Sequence, residues 1–354
     1  MGYNVTIRPS GRAFATEGDE TILAAALREG VGLPYGCKNG ACGTCRGRLL
    51  EGTLVHKPHS ASALSAADEA KGYALFCSAI PQSDVVIEAR ELTGFGDIPI
   101  RKMPGRIAKI DRVAPDVAIV SVQLPANERL QFRAGQYMDF ILKDGARRQY
   151  SIATAPHADA LIQLHIRHTP GGLFTDRLFG VVEPPVKERD IVRIEAPLGT
   201  FFLREDNPRP IVLLAGGTGF APIKAIAEHV FHKRINVDEP GKPARPVRLY
   251  WGARSRHDLY LPTLPEQWAA DQANFRYVPV LSEPTSEDAW SGRTGFVHRA
   301  VMEDLPDLSG WQVYACGAPA MIDAARRDFA AHCGLPEDQF FADAFTTQAD
   351  LASA

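Results

Sequence analysis

Several features that would define a class of protein are missing from this sequence of 354 residues. No apolar run approaches the roughly 20 residues that a membrane-spanning helix needs. The first residues, MGYNVTIRPSGRAF, lack the basic and then apolar layout of a signal peptide. The net charge of -3 gives no basic footprint for nucleic acid. These absences favour a cytoplasmic globular protein with no membrane anchor and no nucleic-acid partner.

Common catalytic signatures are absent as well. The chain has no HExxH, no nucleophile elbow, no Walker sequence and no G-x-G-x-x-G dinucleotide fingerprint. The histidine pairs His165 with His168 and His229 with His232 are expected on strand or helix surfaces rather than as metal ligands. The histidines therefore predict no competing site.

Cysteines are few, six in all, and their spacing is the first positive signal. Cys37, Cys42 and Cys45 follow C-x4-C-x2-C, and Cys77 comes after 31 further residues, which matches the plant-type pattern of [2Fe–2S] ligands. Thiolates are the soft ligands that such clusters need, and glycines in GCKNGACGTCRG let the loop wrap tightly. A structural zinc site is the alternative, but zinc ribbons usually have paired CxxC knuckles and only one CxxC is present.

The segment from Tyr3 to about Leu92 resembles plant-type ferredoxins over its whole length. That resemblance implies a β-grasp fold with Cys37, Cys42 and Cys45 in one loop and Cys77 on another. The residues themselves predict two alternating strands, YNVTIRP and RAFAT, and a short helix in TILAAALREG that ends at Gly30.

The remaining chain predicts a linker and two further domains, so the expected fold is multidomain α+β and α/β. Glycines and prolines mark the linker. Short β-rich runs then predict an antiparallel β-barrel, and alternating strand and helix patterns predict a doubly wound parallel sheet. The expected ranges are a ferredoxin domain at 1–92, the linker at 93–103, the barrel at 104–204 and the α/β domain at 205–354.

Two stretches of the barrel region have groups suited to a flavin. In Arg148-Gln149-Tyr150-Ser151, a guanidinium can pair with phosphate and a tyrosine can stack on a flat ring. On a strand, Arg148 and Tyr150 point the same way; ordinary barrel packing is the alternative for the tyrosine. In GGLFT, from Gly171 to Thr175, glycines can present backbone N–H groups to a pyrophosphate, or the stretch can be an ordinary turn that opens a helix.

Two stretches of the last domain suit a nicotinamide coenzyme. GGTGFAP follows the strand PIVLLA and opens a helix, and a helix N-terminus favours a pyrophosphate. Cys316, in C-G-A-P, closes the strand WQVYA at the carboxyl edge where α/β proteins bind ligands; a buried structural thiol is the alternative. The residues of interest in these stretches are Gly216, Gly217, Thr218, Gly219, Pro222, Cys316 and Gly317.

The order and spacing of these motifs resemble the ferredoxin–NADP reductase superfamily. The resemblance implies bound FAD and NADH or NADPH, with Cys316 beside the nicotinamide. It assigns Asp343 to hydrogen bonding or proton movement at the active site, and Phe345 to the second flavin face. The catalytic residues that it implies are Cys316, Asp343 and Ser151. The flavin ligands that it implies are Arg148 at the phosphate, Tyr150 at the ring, Ser151 near N5, and Gly171, Gly172, Leu173 and Thr175 at the pyrophosphate.

The coenzyme preference depends on the end of the strand VRLYWGA. Arg254 and Arg256 follow it and can receive a 2′-phosphate, and no acidic residue closes the strand to bind a ribose diol. Related NADH reductases carry GAR at this place, however, so the sequence favours NADH slightly.

The order ferredoxin, flavin barrel, nicotinamide domain resembles the reductase components of multicomponent oxygenases, such as those of phenol hydroxylase and of benzoate or naphthalene dioxygenase. The resemblance implies electron flow from NAD(P)H through FAD and the [2Fe–2S] cluster to a partner protein, which is an oxygenase, a separate ferredoxin or a dehydratase component. A CDP-6-deoxy-Δ3,4-glucoseen reductase is the alternative. Outside enzymes, the alternative is a zinc-stapled nucleotide-binding protein, which metal analysis would distinguish.

Overall fold

The computed structural model describes residues 2–92, 97–126, 129–158 and 161–346. These residues form two compact units. The described residues up to Pro99 and those from Asp343 onward belong to one unit, and Ile100–Ala342 form the other. No helix in the described ranges is both long and apolar enough to cross a membrane.

The first unit has seven strands and two helices. The strands are β1 (Asn4–Arg8), β2 (Ala13–Ala15), β3 (Arg46–Glu51), β4 (Leu54–His56), β5 (Tyr73–Leu75), β6 (Ala79–Pro81) and β7 (Val85–Glu88). The helices are α1 (Ile22–Arg28) and α2 (Ala66–Glu69).

A five-stranded sheet in the order β2-β1-β7-β3-β5 organises this unit. Strands β1 and β7 are parallel, and the other neighbours are antiparallel. Helix α1 begins where the Thr21 hydroxyl accepts the Ala24 N–H, a capping bond that stabilises a helix by about 1 kcal/mol. It ends before Gly30, which has a φ of 68°. This mixed sheet with its helix is the predicted ferredoxin fold.

The second unit contains a barrel followed by an α/β domain. The barrel elements are β8 (Arg101–Ala114), β9 (Val117–Gln123), β10 (Tyr137–Ile141), β11 (Arg147–Ser151), β12 (Ile162–Arg167), α3 (Thr175–Leu178) and β13 (Ile191–Leu198). The α/β elements are β14 (Ile211–Gly216), α4 (Phe220–His232), β15 (Val247–Ala253), α5 (Thr263–Asp271), β16 (Phe275–Leu281), β17 (Arg293–Thr294), α6 (Val297–Asp304), β18 (Gln312–Gly317), α7 (Pro319–Cys333) and β19 (Phe340–Ala344).

The barrel is antiparallel, in the order β11-β10-β13-β8-β9-β12. A bridge between Ile152 and Leu164 connects the chain after β11 to β12, so the two ends of the sheet meet. The α/β sheet has the order β17-β16-β15-β14-β18-β19, and β14 is parallel to both β15 and β18. Strand order therefore reverses at β14, and the carboxyl ends of β14 and β18 form the crevice where such sheets bind ligands.

The last residues of the predicted linker at 93–103 already form part of a strand. Strand β8 already begins at Arg101, and residues 93–96 lie outside the described ranges. Pro104 is tolerated in β8 because its segment pairs with β13, whereas pairing with β9 starts only at Arg106. A proline has no N–H to donate and is accepted where one strand edge is free.

Candidate redox and coenzyme sites

The four predicted cluster ligands come together in the first unit. Cys37, Cys42 and Cys45 lie in the loop between α1 and β3, and Cys77 lies between β5 and β6. The sulfurs approach one another in two pairs, because the Cys42 thiol donates a hydrogen bond to the Cys37 sulfur and the Cys45 thiol donates one to the Cys77 sulfur. A [2Fe–2S] cluster binds four thiolates, two on each iron. This donor set therefore fits such a cluster.

The environment lowers the pKa of one thiol in each pair, Cys37 and Cys77, through hydrogen bonds from Cys42 and Cys45, and it raises the pKa of the two donating thiols. Hydrogen bonding with Cys42 lowers the pKa of Cys37 to about 7, and the backbone N–H groups of Asn39 and Ala41 act in the same direction. Within the described ranges, no three His, Cys, Asp or Glu side chains are grouped as ligands of a metal ion.

The two stretches with groups suited to a flavin are neighbours in the barrel. The Tyr150 ring on β11 packs edge-on against Phe140 at 5.3 Å between centroids and lies 5.7 Å from Phe174 of GGLFT. Burial raises the pKa of Tyr150, and the Arg148 charge opposes that rise, so the guanidinium is close to the phenol. The structure therefore brings RQYS and GGLFT together, with Ser151 buried at the strand end.

The GGLFT turn is held by its own hydrogen bonds. The Thr175 hydroxyl donates to the Thr169 carbonyl at 2.9 Å and accepts the Thr169 N–H at 3.2 Å. The Gly171 N–H donates to the Asp176 carboxylate at 3.1 Å. Leu173 is 52% exposed. The pyrophosphate contacts of Gly171, Gly172, Leu173 and Thr175 stay predictions.

The glycine-rich loop and the cysteine of the last domain lie side by side. Ala215 at the end of β14 pairs with Cys316 of β18. Gly219 packs so closely that a Cβ there would stand 2.1 Å from the Cys316 carbonyl oxygen, so only glycine fits. One 3-10 turn, Gly217–Gly219, leads into α4, with Pro222 in the first turn. This loop lies at the carboxyl edge of the sheet, and Cys316 is fully buried beside it.

Both arginines that follow β15 are near acidic groups. Arg254, with 63% of its side chain exposed, lies 3.6 Å from the Asp258 carboxylate. Arg256 donates from its guanidinium to the Asp288 carbonyl at 3.2 Å and from its backbone N–H to the Asp288 carboxylate at 2.8 Å. The coenzyme contacts of Arg254 and Arg256 and the slight preference for NADH stay predictions.

Asp343 is buried in β19. Phe345 follows that strand and is partly exposed. Their expected parts in proton movement and flavin cover stay predictions.

Two of the expected surface histidines, His165 and His229, are instead buried, and His165 lies beside the coenzyme loop. His165 on β12 is 5% exposed, and its Nδ1 lies 2.9 Å from the Tyr260 hydroxyl. Burial, with help from the Lys224 charge, lowers the pKa of His165 to about 3, so the ring is neutral. Burial raises the pKa of Tyr260, and Cys316 adds to that rise. The surface prediction for His165 was wrong because the α/β domain covers this face of the barrel.

Sequence reasoning also missed Arg167, two residues later on the same strand face. Its guanidinium lies 3.6–3.7 Å from the position of a Cβ at Gly217. Asp116 and Asp258 approach it at 3.4 and 3.6 Å, yet its Nε and Nη2 are buried without a hydrogen-bond partner in the described ranges. The sequence contained a signal for Arg167, because side chains alternate along a strand and LIQLHIR therefore places Gln163, His165 and Arg167 on one face.

A buried lysine of the α/β domain donates a hydrogen bond to the chain that follows the RQYS stretch of the barrel. Lys224 on α4 donates to the Ala153 carbonyl at 3.1 Å, just after β11, and pairs with Glu228 at 2.8 Å. The helix that follows the glycine loop is thereby anchored to the chain that follows RQYS. Flavin and nicotinamide segments thus share one scaffold.

Comparison with known proteins agrees with this architecture. Family models match residues 5–82 (2Fe-2S iron-sulfur cluster binding domain), 104–203 (oxidoreductase FAD-binding domain) and 213–327 (oxidoreductase NAD-binding domain). The chain is 42% identical over 345 residues to a CDP-6-deoxy-L-threo-D-glycero-4-hexulose-3-dehydrase reductase of Yersinia pseudotuberculosis, covering 98% of this chain and 99% of that one. It is 32% identical to a terephthalate 1,2-dioxygenase reductase component of Comamonas, covering 98% of both.

Solved structures agree as well. A cytochrome P450 reductase of Amycolatopsis superposes with a TM-score of 0.76 at 33% identity, covering 98% of this chain and 99% of that chain. These matches support bound [2Fe–2S], FAD and NAD. The chain belongs to the family of ferredoxin reductases that join a 2Fe-2S domain, an FAD-binding domain and an NAD-binding domain in one polypeptide, and it is an electron-transfer oxidoreductase.

Proposed function

We propose that this chain supplies single electrons from NADH to a separate dehydrase that acts on a CDP-linked 6-deoxy-4-hexulose. The observation that carries the proposal is the end-to-end identity of 42% to a reductase of that system, against 32% for the terephthalate dioxygenase reductase. An oxygenase component is the second candidate partner, supported by the reductase components of a terephthalate dioxygenase, a phenol hydroxylase and a phenol monooxygenase at 32–35% identity.

Each group of candidate residues has its own cofactor in this proposal. Arg148, Tyr150 and Ser151 would hold the flavin, and Gly216–Gly219 with Cys316 would hold the nicotinamide. When bound, FAD would supply the exchange between a hydride and single electrons. Cys37, Cys42, Cys45 and Cys77 hold the cluster from which the partner is served.

We assign Arg167 to the coenzyme pyrophosphate. Its Nε and Nη2 have no hydrogen-bond partner although they are buried, and the guanidinium faces the glycine loop. A guanidinium whose buried N–H groups lack hydrogen-bond partners suits a phosphate oxygen. Asp116 and Asp258 then orient the side chain without satisfying those donors.

The reduced state of the cysteines bears on where in the cell the protein works. None of the six cysteines is in a disulfide in the described ranges, and cluster ligands must remain reduced thiolates. Cytosolic conditions keep thiols reduced, so we place the protein in the cytoplasm. Fractionation of the native host, with antibody detection, tests this placement.

Reconstitution tests the partner. The holoprotein is combined with NADH and either the CDP-hexulose dehydrase or the terephthalate dioxygenase oxygenase component, and product is measured by chromatography. We expect product with the dehydrase and little with the oxygenase. Product with the oxygenase alone would overturn the first partner in favour of the second.

Arg167 has its own test. Arg167→Gln should weaken NADH binding about 10-fold or more, because charged hydrogen bonds contribute roughly 1.5–3 kcal/mol. Arg106→Gln, an exposed barrel position, is the matched control. Unchanged NADH affinity in the Arg167 variant would remove it from the coenzyme site.

A further inference from the structure

Two polar contacts join strand β12 of the barrel to the segment that follows β15 in the α/β domain. His165 Nδ1 lies 2.9 Å from the Tyr260 hydroxyl. Two residues away on each segment, Arg167 Nη2 lies 3.6 Å from Asp258 Oδ1. His165 and Arg167 share one face of β12, because side chains alternate along a strand. The two contacts therefore lie next to each other between the barrel and the α/β domain.

The contact of His165 with Tyr260 is closed to solvent. Each of the two residues is 5% exposed, and their rings meet edge to face, with 5.4 Å between centroids and 89° between planes. Among the described residues, His165 Nε2 is buried without a hydrogen-bond partner. The hydrogen bonding of this imidazole therefore depends on Tyr260.

Tyr260 extends the contact to the glycine-rich loop. Its ring packs edge-on against Trp251 of β15, with 5.2 Å between centroids. The Trp251 Nε1–H donates to the Gly217 carbonyl at 2.9 Å, and the indole stacks on Phe220 at the start of α4, with 4.0 Å between centroids. A continuous series of buried contacts thus runs from His165 in the barrel to the loop of the α/β domain.

The segment that carries Tyr260 is fixed by its own turn. The Ser255 N–H and the Ser255 hydroxyl both donate to Asp258 Oδ2, at 3.2 and 3.0 Å. Arg167 approaches the other oxygen of that carboxylate. The Tyr260 ring thus extends from a turn of fixed shape, and its bond to His165 fixes that turn against β12.

The two contacts differ in the hydrogen-bonding groups that they leave for a ligand. Arg167 keeps buried N–H groups without a partner in the described ranges, and these suit the coenzyme pyrophosphate. The Tyr260 hydroxyl has His165 as its partner instead. The first contact therefore offers donors to the coenzyme, whereas the second joins one protein group to another.

We propose that His165 and Tyr260 are a positioning pair that holds the glycine-rich loop in place against the flavin-binding barrel, and that this placement sets the rate at which NADH reduces the flavin. The inference rests on the proposed function. The pair acts through Trp251 and the Gly217 carbonyl, without a coenzyme contact of its own. The rate of transfer between two bound groups is very sensitive to their relative position. Loss of the pair should therefore lower the rate and leave the affinity for NADH nearly unchanged.

Stopped-flow reduction of the full-length holoprotein by NADH tests the pair, because one titration gives both the limiting rate and the NADH concentration at half-saturation. Tyr260→Phe removes only the hydroxyl and should lower the limiting rate about 10-fold or more, since small misplacements have costs of that order. Half-saturation should stay close to that of the wild type, in contrast to Arg167→Gln. The FAD content and the reduction of the flavin by dithionite should be unchanged.

Variants of His165 separate the hydrogen bond from the packing of the ring. His165→Leu removes both ring nitrogens and should be as slow as Tyr260→Phe. His165→Asn has a polar δ atom in the place of Nδ1 and should recover most of the rate. The double variant of His165→Leu with Tyr260→Phe should be no slower than His165→Leu alone, because the two changes remove the same bond. If His165→Leu does not fold, Tyr260→Phe and His165→Asn decide the matter.

Tyr250 supplies the matched control, because it is buried on β15 and its hydroxyl donates to Asp304 of α6 at 2.9 Å, within the α/β domain. Tyr250→Phe should reduce its flavin at the wild-type rate. A wild-type limiting rate in Tyr260→Phe, or an equal slowing in Tyr250→Phe, would overturn the proposal. A weaker NADH affinity at an unchanged rate would also overturn it and would assign Tyr260 to coenzyme binding. Absence of flavin reduction by NADH in the wild type would refute the proposed function instead.

Discussion

Cys77 is the one proposed cluster ligand that the chain supplies from outside the cysteine loop. Cys77→Ser removes one thiolate from the pair formed with Cys45, and a hydroxyl is a poorer ligand for iron than a thiolate. We expect the cluster absorbance and the reduced-state EPR signal to be lost while FAD remains bound, since the flavin residues lie in the other unit. Iron and sulfide analysis measures the loss.

A buried thiol elsewhere gives the control for Cys77. Cys333, at the end of α7, is 4% exposed and free, so Cys333→Ser should keep the cluster. An intact cluster in the Cys77 variant would refute its assignment as a ligand.

Cys316 sits at the end of β18, where Gly219 contacts its carbonyl. Cys316→Ala should slow flavin reduction by NADH far more than it weakens NADH binding, because a small misplacement of the nicotinamide forfeits near-attack geometry. Stopped-flow bleaching of the flavin gives the rate, and its saturation gives the affinity. Flavin reduction at the wild-type rate would make Cys316 a packing residue.

Among the contacts between elements, the one where the ends of β14 and β18 meet has the least room for an added side-chain atom. Gly219→Ala would place a methyl group 2.1 Å from the Cys316 carbonyl oxygen, and backbone on both sides must then move. We expect NADH-dependent flavin reduction to fall by about 100-fold or more, since misplacements near 1 Å have costs of that size.

Dithionite supplies the readout that isolates the Gly219 effect. The variant's FAD should still be reduced by dithionite, because the barrel residues are unchanged. Gly310→Ala is the control, since no atom lies within 4 Å of a Cβ there. Full NADH activity in the Gly219 variant would contradict the tight packing of the two loops.

For the whole molecule, the division into units predicts a division of labour. A fragment that begins at Ile100 keeps all of β8, whereas a start at Pro104 would remove three residues that pair with β13. The fragment should retain FAD and NADH-ferricyanide activity and lose most cytochrome c reduction, because one-electron export belongs to the ferredoxin unit. Steady-state assays of fragment and full chain measure this, and equal cytochrome c activity in both would count against it.

The amino-acid sequence alone determined the features that depend on neighbouring residues. The spacing of Cys37, Cys42 and Cys45 predicted that these three ligands lie in one loop, because they are only a few residues apart along the chain. Strand and helix periodicity predicted the ferredoxin, barrel and α/β segments, since 2.0 and 3.6 residue repeats are local properties.

Only the tertiary structure decided which distant side chains meet. The sequence predicted His165 at the surface, whereas in the structure the α/β domain covers its strand and the Tyr260 hydroxyl lies 2.9 Å from its Nδ1. Arg167 reaches Gly217 across 50 residues of sequence, and the Glu69 carboxylate lies near both His56 and His59. Such contacts follow from how elements pack, and no periodicity along the chain encodes them.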